Sequence, residues 1–270
     1  NVPGCEVIRP VELFGGKPDL TPEESTQKSF GLVFSPMDQF NIALDWWEIE
    51  RVNTIRSAPR DVLIRNYDLF RTNWIRDASG EVVAIDRRFI NSGGSLMRGL
   101  ELDANLNGEL AGGRWIVNLN GSYIHQFHTK ALESLPYSGN LVGRYVRYFN
   151  LPIRWKHTLN VGYTRGNWSH NLSQIHRDGY LDEPPISVAN GSFIPANWRP
   201  RVDGYTTYSY SVTWTGIQNL KLGLGIKNLL DQDPPFTAHM NDFAAGAGWE
   251  TRIADPRGRA YTLLVEYRFW

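Results

Sequence analysis

A chain of 270 residues has room for one large domain. Lys plus Arg and Asp plus Glu stand at 28 each, so the formal net charge is zero, which excludes the basic surplus typical of a nucleic-acid binder. No run of about 18 apolar residues is present, which excludes a membrane-spanning helix.

Aromatic residues are frequent, with 10 Trp, 12 Tyr and 12 Phe. Two aromatic girdles at membrane interfaces would absorb many of them, and so would a soluble aromatic-rich β protein. The single cysteine, Cys5, permits no intrachain disulfide. The opening NVPGCEVIRP has neither the basic region nor the apolar core of a signal peptide.

The pattern along the chain is one of alternation, which puts successive side chains on opposite faces of a strand. A first segment of 1–25 precedes it and is expected to be an extracellular loop or lead-in. Thr26–Ser35 places Phe30, Leu32 and Phe34 on one face. Phe40–Arg51 sets Phe40, Ile42, Leu44 and Trp46 against Asn41, Ala43, Asp45 and Trp47. A short helix is expected around 59–66. Val82–Leu106 reads as one extended region bent near Gly93-Gly94, with 82–91 as the outer extension of the strand that follows. Arg114–Gln126, Arg154–Arg165, Trp168–His176, Tyr205–Thr215 and Leu220–Asn228 follow as strands. The last, RGRAYTLLVEYRFW at 257–270, sets Tyr261, Leu263, Val265, Tyr267 and Phe269 against Ala260, Thr262, Glu266 and Arg268. Leu264 is the one apolar residue on that polar side.

The connections alternate as well. Short turns fall at 36–39, 107–113, 165–167 and 216–219, and long loops at 52–81, 127–153, 177–204 and 229–258. Tight turns at one end and long loops at the other are the mark of an outer-membrane barrel, and a soluble sandwich has no reason to keep that parity. Nine strands of about 10–12 residues suit a tilted crossing of the hydrocarbon layer, whereas soluble strands average about five or six. The fold class expected is all-β, a transmembrane antiparallel β-barrel.

Candidate ligand contacts lie on the loops. Tyr137, Arg144, Tyr145, Arg147 and Tyr148 occupy 127–153, and Arg177, Tyr180, Trp198 and Arg199 occupy 177–204. Aromatic faces stack on sugars or aromatic ligands, and Arg offers carboxylates and phosphates a planar fork. Packing of loops or girdles would use the same residues. Asp45, Glu101, Asp103, Lys156 and Glu266 face the polar side, where hydrated, mutually paired lumen residues are expected. His125 and His128 are three apart at a strand end, so they point to opposite faces and do not converge on a metal. No catalytic constellation, metal site or cofactor site is read, and a barrel-rim enzyme finds no converging Ser/His/Asp set.

Five segments in family order resemble the C-terminal part of a TonB-dependent outer-membrane receptor: KPDLTPEES at 17–25, FSPMDQFNIALDWWEIE at 34–50, RGLELDANL at 98–106, IKNLLDQDPPF at 226–236 and PRGRAYTLLVEYRFW at 256–270. Leu230 stands where Phe is commoner, and Trp270 is one residue beyond the family's usual final Phe. The resemblance implies that 26–270 is the last nine or so strands of a 22-stranded barrel in a Gram-negative outer membrane. It implies a plug and early strands elsewhere, on the same polypeptide or a partner chain, and coupling to the TonB complex through an N-terminal part. It implies active uptake of a scarce small nutrient, a siderophore or glycan, with no nucleic-acid partner. A passive porin or a soluble glycan-binding β protein are the alternatives.

Overall fold

The computed structural model describes residues 10–57, 60–145, 151–194, 198–239 and 248–269. In chain order the elements are β1 (Val11–Leu13), β2 (Glu24–Met37), β3 (Phe40–Ser57), α1 (Arg60–Arg65), β4 (Trp74–Arg76), β5 (Val82–Asp86), β6 (Phe89–Leu110), β7 (Gly113–Lys130), β8 (Trp155–Arg165), β9 (Trp168–Arg177), β10 (Tyr180–Leu181), α2 (Ile186–Ala189), β11 (Arg201–Val202), β12 (Tyr205–Ile217), β13 (Leu220–Lys227) and β14 (Ala260–Tyr267). Nine of them form one sheet, in the order β14-β13-β12-β9-β8-β7-β6-β3-β2. Each strand pairs with its sheet neighbours in the chain, and β2 and β14 have one hydrogen-bonded neighbour each among the described residues.

By its contacts the chain divides into two units, 1–27 with 49–96 and 128–139, and 28–48 with 97–127 and 140–270. In the second, the register explains why these residues form a wall. One row runs Val117, Val161, Leu172, Tyr210, Ile226, Tyr261 across six strands. The next runs Trp115, Tyr163, His170, Val212, Leu224, Leu263. The opposite face carries Ile116, Gly162, Asn171, Ser211, Gly225 and Thr262 in one row, and Asn118, Asn160, Ser173 and Ser209 in another. Directly opposed side chains are the unit of sheet stabilisation, so one face is apolar and aromatic and the other is Ser-, Thr- and Asn-rich. The apolar face is open to its surroundings, with Leu263 76% exposed.

Tight turns close the hairpins. Ala111 and Gly112 both have positive φ, 51° and 74°, between β6 and β7. Turns of that hand match the twist of the strands they join. Between β12 and β13 Asn219 has positive φ (64°) but Gln218 does not, and the pairing carries a bulge between Trp214 and Ile217. Near these turns Trp168 and Trp214 lie 6.1 Å apart, ring to ring, on the apolar face.

At the start of 229–258 the Asn-Leu-Leu-Asp motif folds on itself. Asn228 is buried at positive φ; its side chain accepts from Gln232 N–H (2.9 Å) and donates to Gln232 C=O (3.0 Å). Asp231, also at positive φ, accepts the Arg259 N–H at 2.8 Å, just before β14. The buried core of this unit gathers Ile153, Tyr180, Val202, Tyr205, Ile253 and Ala254.

The first unit holds a small sheet of β1, β5 and β4, in which β1 and β5 run parallel. Its core is Leu63, Phe70 and Ile85, with α1 contributing Leu63. Glu12 binds Arg87 at 2.6 Å and the Arg60 Nε at 2.7 Å.

Three expectations are corrected here. Residues 82–86 are not an extension of the following strand but a separate strand, β5, paired with β1 inside the segment 1–25 that was expected to be loop. Because β5 belongs to the small sheet, the parity of the nine-stranded sheet is kept. Gly93-Gly94 does not interrupt β6, which runs unbroken over 22 residues. A Cβ at Gly93 would meet the Lys130 carbonyl oxygen at 2.4 Å, and one at Gly94 the Arg51 carbonyl oxygen at 2.0 Å, so these glycines serve close backbone approach. The loops expected from 52 and from 127 start later, because β3 continues to Ser57 and β7 to Lys130.

Gly99 shows the same economy in the second unit. A Cβ there would meet the Trp47 ring at 2.4 Å and the Tyr123 carbonyl oxygen at 2.8 Å. Gly99→Val is expected to lower stability by about 1–3 kcal/mol through overpacking, read as a lower urea midpoint in detergent micelles.

Candidate functional site

Long segments between strands, all in the second unit, carry the chemistry. Asp182 follows β10 and is almost fully buried. Its Oδ2 accepts from the Thr237 hydroxyl (2.8 Å) and the Ala238 N–H (2.8 Å), 55 and 56 residues away. Its Oδ1 lies 2.5 Å from His239 Nδ1. The other ring nitrogen, Nε2, faces Glu250 Oε2 at 3.1 Å. Glu250 in turn accepts a forked pair of bonds from Arg252, both at 2.8 Å, the planar geometry that suits guanidinium and carboxylate. Tyr145 stacks on the His239 ring at 3.6 Å, and the Arg252 guanidinium lies 5.4 Å from the Tyr145 ring centre.

Burial pushes the Asp182 carboxyl up, but the bonds from His239, Ala238 and Thr237 outweigh it and leave it below the ordinary carboxylate value. Glu250 follows the same logic, with burial opposed and overcome by Arg252 and His239. The Arg252 guanidinium is raised by its bonds to Glu250.

Above Asp182 and Ala238 opens a cavity of about 350 Å³. Trp198 and Phe236 give it aromatic faces, Arg199 and Arg201 positive charge, and Asp182 and Asp203 acceptors. The Trp198 Nε1–H is buried and has no hydrogen-bond acceptor among the described residues, so a ligand oxygen would satisfy it. A second cavity, of about 500 Å³, is lined by Arg177, Lys227, Trp249 and Arg252 among others. A third, of about 430 Å³, lies on the polar face among Asp45, Glu101, Asp103, Lys156 and Arg177. Arg177 lines both of these, and it donates to the Ile253 C=O at 2.9 Å.

The residues expected on the loops are thus divided. Trp198 and Arg199 line the first cavity and Arg177 the other two. Tyr145 lines none of the three cavities and stacks on His239. Tyr180 is 1% exposed and belongs to the core, where burial pushes its hydroxyl pKa up. Tyr137 lies in the first unit and donates to Glu50 at 3.2 Å. Arg144 is exposed, in a bridge with Leu181. Arg147 and Tyr148 lie outside the described residues. His128 Nδ1 donates to the Ser138 C=O at 2.8 Å. On the polar face, Glu101 accepts from Trp47 Nε1–H (3.2 Å) and Ser122 (2.9 Å), and Asp103 from Asn105 (2.6 Å).

Sequence reasoning missed Asp182, His239, Glu250 and Arg252, and with them Phe236 and Arg201. The available signals were slight: Pro pairs beside Asp182 and Phe236, and the Glu-x-Arg spacing at 250–252.

A family model for the TonB-dependent receptor-like β-barrel matches residues 7–229. Among solved structures, the outer membrane transporter YddB from Escherichia coli is 14% identical, with TM-score 0.62 over 98% of this chain and 35% of that one. A mutant of the ferric enterobactin receptor PfeA from Pseudomonas aeruginosa is 17% identical, with TM-score 0.57 over 90% and 31%. The siderophore receptor PirA from Acinetobacter baumannii is 17% identical, with TM-score 0.57 over 92% and 32%. At these identities the likeness is one of fold. The chain spans about a third of the length of these structures. No curated protein matches it.

Asp182 and Glu250 are held low in the folded state, so their contribution is full above the unfolded carboxylate range, about pH 4. It is lost as pH falls through their lower folded values. Acidification from pH 7 to 3 is expected to lower protection of the Ala238 amide, corrected for intrinsic exchange, more than that of amides in β13.

Proposed function

The chain belongs to the TonB-dependent receptor-like β-barrel family, and on that premise we propose that it supplies wall, lumen lining and ligand-capturing loops for TonB-dependent uptake of a scarce nutrient. Members of the family are outer-membrane transporters rather than enzymes, and the protein is an outer-membrane protein of a Gram-negative bacterium. Membership of this family supports this reading over the passive-channel and soluble glycan-binding alternatives.

The observation that carries the reading is the two-faced wall. Rows of Val, Leu, Ile, Tyr and Trp on one face suit lipid, and rows of Asn, Ser, Thr and Gly on the other suit a hydrated lumen. In this arrangement the tight turns are periplasmic, and the segments that join β3 to β6, β7 to β8, β9 to β12 and β13 to β14 are extracellular, as is the entry segment at 1–25. The remaining strands of a 22-stranded barrel, the plug and the TonB contact belong to parts of the receptor beyond this chain. The share of the solved structures that the chain covers supports this division.

The ligand is captured at the cavity of Trp198, Phe236, Arg199 and Arg201. Flat aromatic walls with two guanidinium groups suit a ring-bearing ligand that carries anionic oxygens. A siderophore or an acidic glycan meets that description, and two of the structures of like fold are named as siderophore or ferric enterobactin receptors. Tyr145 stacks on His239, and Arg177 lies on the route from the loops to the polar face. Arg144, Arg147, Tyr148, Tyr137 and Tyr180 are given no direct contact in this reading.

The wall is tested by a pair of substitutions on opposite faces. Leu224→Arg is expected to cost about 2–4 kcal/mol near the bilayer midplane, and Ser211→Arg to fold normally, both read as folding free energy in lipid vesicles. Equal costs would sink the two-faced wall. The site is tested by nutrient-limited growth and uptake in cells expressing the intact receptor. Trp198→Ala is expected to raise the half-saturating nutrient concentration about fivefold, the worth of about 1 kcal/mol of aromatic contact. An unchanged value with normal surface expression would move the site elsewhere.

A further inference from the structure

We propose that His239 is a positioning residue of the ligand cavity, latching the wall that carries Pro235, Phe236 and Ala238 to the wall that carries Asp182, Trp198 and Arg199. The proposal rests on the reading of that cavity as the nutrient site, and the latch itself is a property of the fold that is measurable without ligand.

The geometry is of a ring held on every side. Asp182 faces Nδ1 at 2.5 Å from the segment after β10, and Glu250 faces Nε2 at 3.1 Å from the segment before β14. Tyr145, from the segment before β8, covers one ring face at 3.6 Å, and Tyr180 of β10 stands 6.3 Å away. Thr237, on the histidine's own segment, donates to Asp182, and Arg252 holds Glu250 from behind. The side chain of His239 is fully buried.

Carboxylate oxygens only accept, so the ring makes both bonds only with hydrogen on both nitrogens. The group then matches two donors, the His239 ring and the Arg252 guanidinium, to two acceptors, Asp182 and Glu250. A buried carboxylate that loses its partner is left uncompensated, which is far costlier than the pair's net worth. Replacement of the ring therefore acts as more than a lost contact. It places two carboxylates against one guanidinium beneath the cavity floor, and Asp182 is the atom-by-atom link to Thr237 and Ala238.

Two variants separate the latch from a merely space-filling role. His239→Gln keeps the size and one polar group but removes the two opposed ring donors. The double variant His239→Gln with Asp182→Asn restores the balance, keeps an acceptor oxygen for Ala238 and Thr237, and leaves the Glu250–Arg252 pair intact. Backbone hydrogen exchange at pH 7 on the intact receptor in detergent micelles reads the Ala238 amide directly, with the β13 amides as the control for folding. The single variant is expected to exchange at Ala238 at least tenfold faster than wild type, and the double variant to return to within threefold. Exchange in the single variant within threefold of wild type overturns the proposal, as does a double variant no better protected than the single one. A loss of β13 protection in the single variant that the double variant repairs supports it, because the two differ only in whether residue 182 is matched to the lost ring donor. Uptake by Trp198→Ala judges the nutrient site separately, so failure of the latch and failure of the site are told apart.

Discussion

Every backbone N–H and C=O that crosses lipid needs a partner inside the protein, because the hydrocarbon layer offers none. The arrangement of this chain follows from that constraint. Each strand of the nine-stranded sheet finds its partners in the strands of that sheet that precede and follow it along the chain, so tight turns suffice at one end. Once the ladders are fixed, side-chain period 2 divides the residues into two faces, and the register rows place Leu, Val and aromatic residues together on one of them. The polar face is left to Asn, Ser, Thr and Gly, with acidic groups bonded to Trp47, Ser122 and Asn105.

The long segments solve a different problem. They are irregular, so their polar groups are not satisfied by a ladder, and side chains do the work that backbone pairing does in the wall. Asp182 takes three bonds from residues more than fifty positions away, and Asn228 closes a turn with both ends of its amide. Charge in these segments is spent on shape. Asp182, Glu250 and Arg252 are bound to protein partners, while Trp198 Nε1, beside a cavity, has no acceptor among the described residues. The contrast separates the charged groups that hold the segments in shape from a buried donor that they leave unmatched among the described residues.

The wall was largely legible in the sequence, because alternation over eight to fourteen residues and parity of turns are local signals. The terminal strand and its neighbour were readable residue by residue, down to Leu264 on the polar side. What escaped was decided by distant contacts. β5 looked like the start of β6 because nothing in 82–91 announces that Val11–Leu13 lies beside it, some 70 residues back. Gly93-Gly94 looked like a bend, although the pair is needed for the close approach of Arg51 and Lys130 backbone. The cavity was half visible. Trp198 and Arg199 were singled out by residue type, but Tyr180 was too, and type alone does not separate an aromatic ring in a core from one on a rim. The Asp182–His239–Glu250 group lay beyond reach because it joins segments 57 and 11 residues apart.

Asn228 and Asp231 close the base of the segment 229–258 with its own two ends, through Gln232 on one side and the Arg259 N–H on the other. That closure secures only the root, because further along the same segment Thr237 binds Asp182 and Ile253 joins the buried core and accepts from Arg177 of β9. The segment is therefore riveted at two levels, its root to the β13–β14 hairpin and its body to the stretch around β10 and β11. A graft between related chains would have to carry 178–204 together with 229–258, since neither stretch keeps its partners without the other.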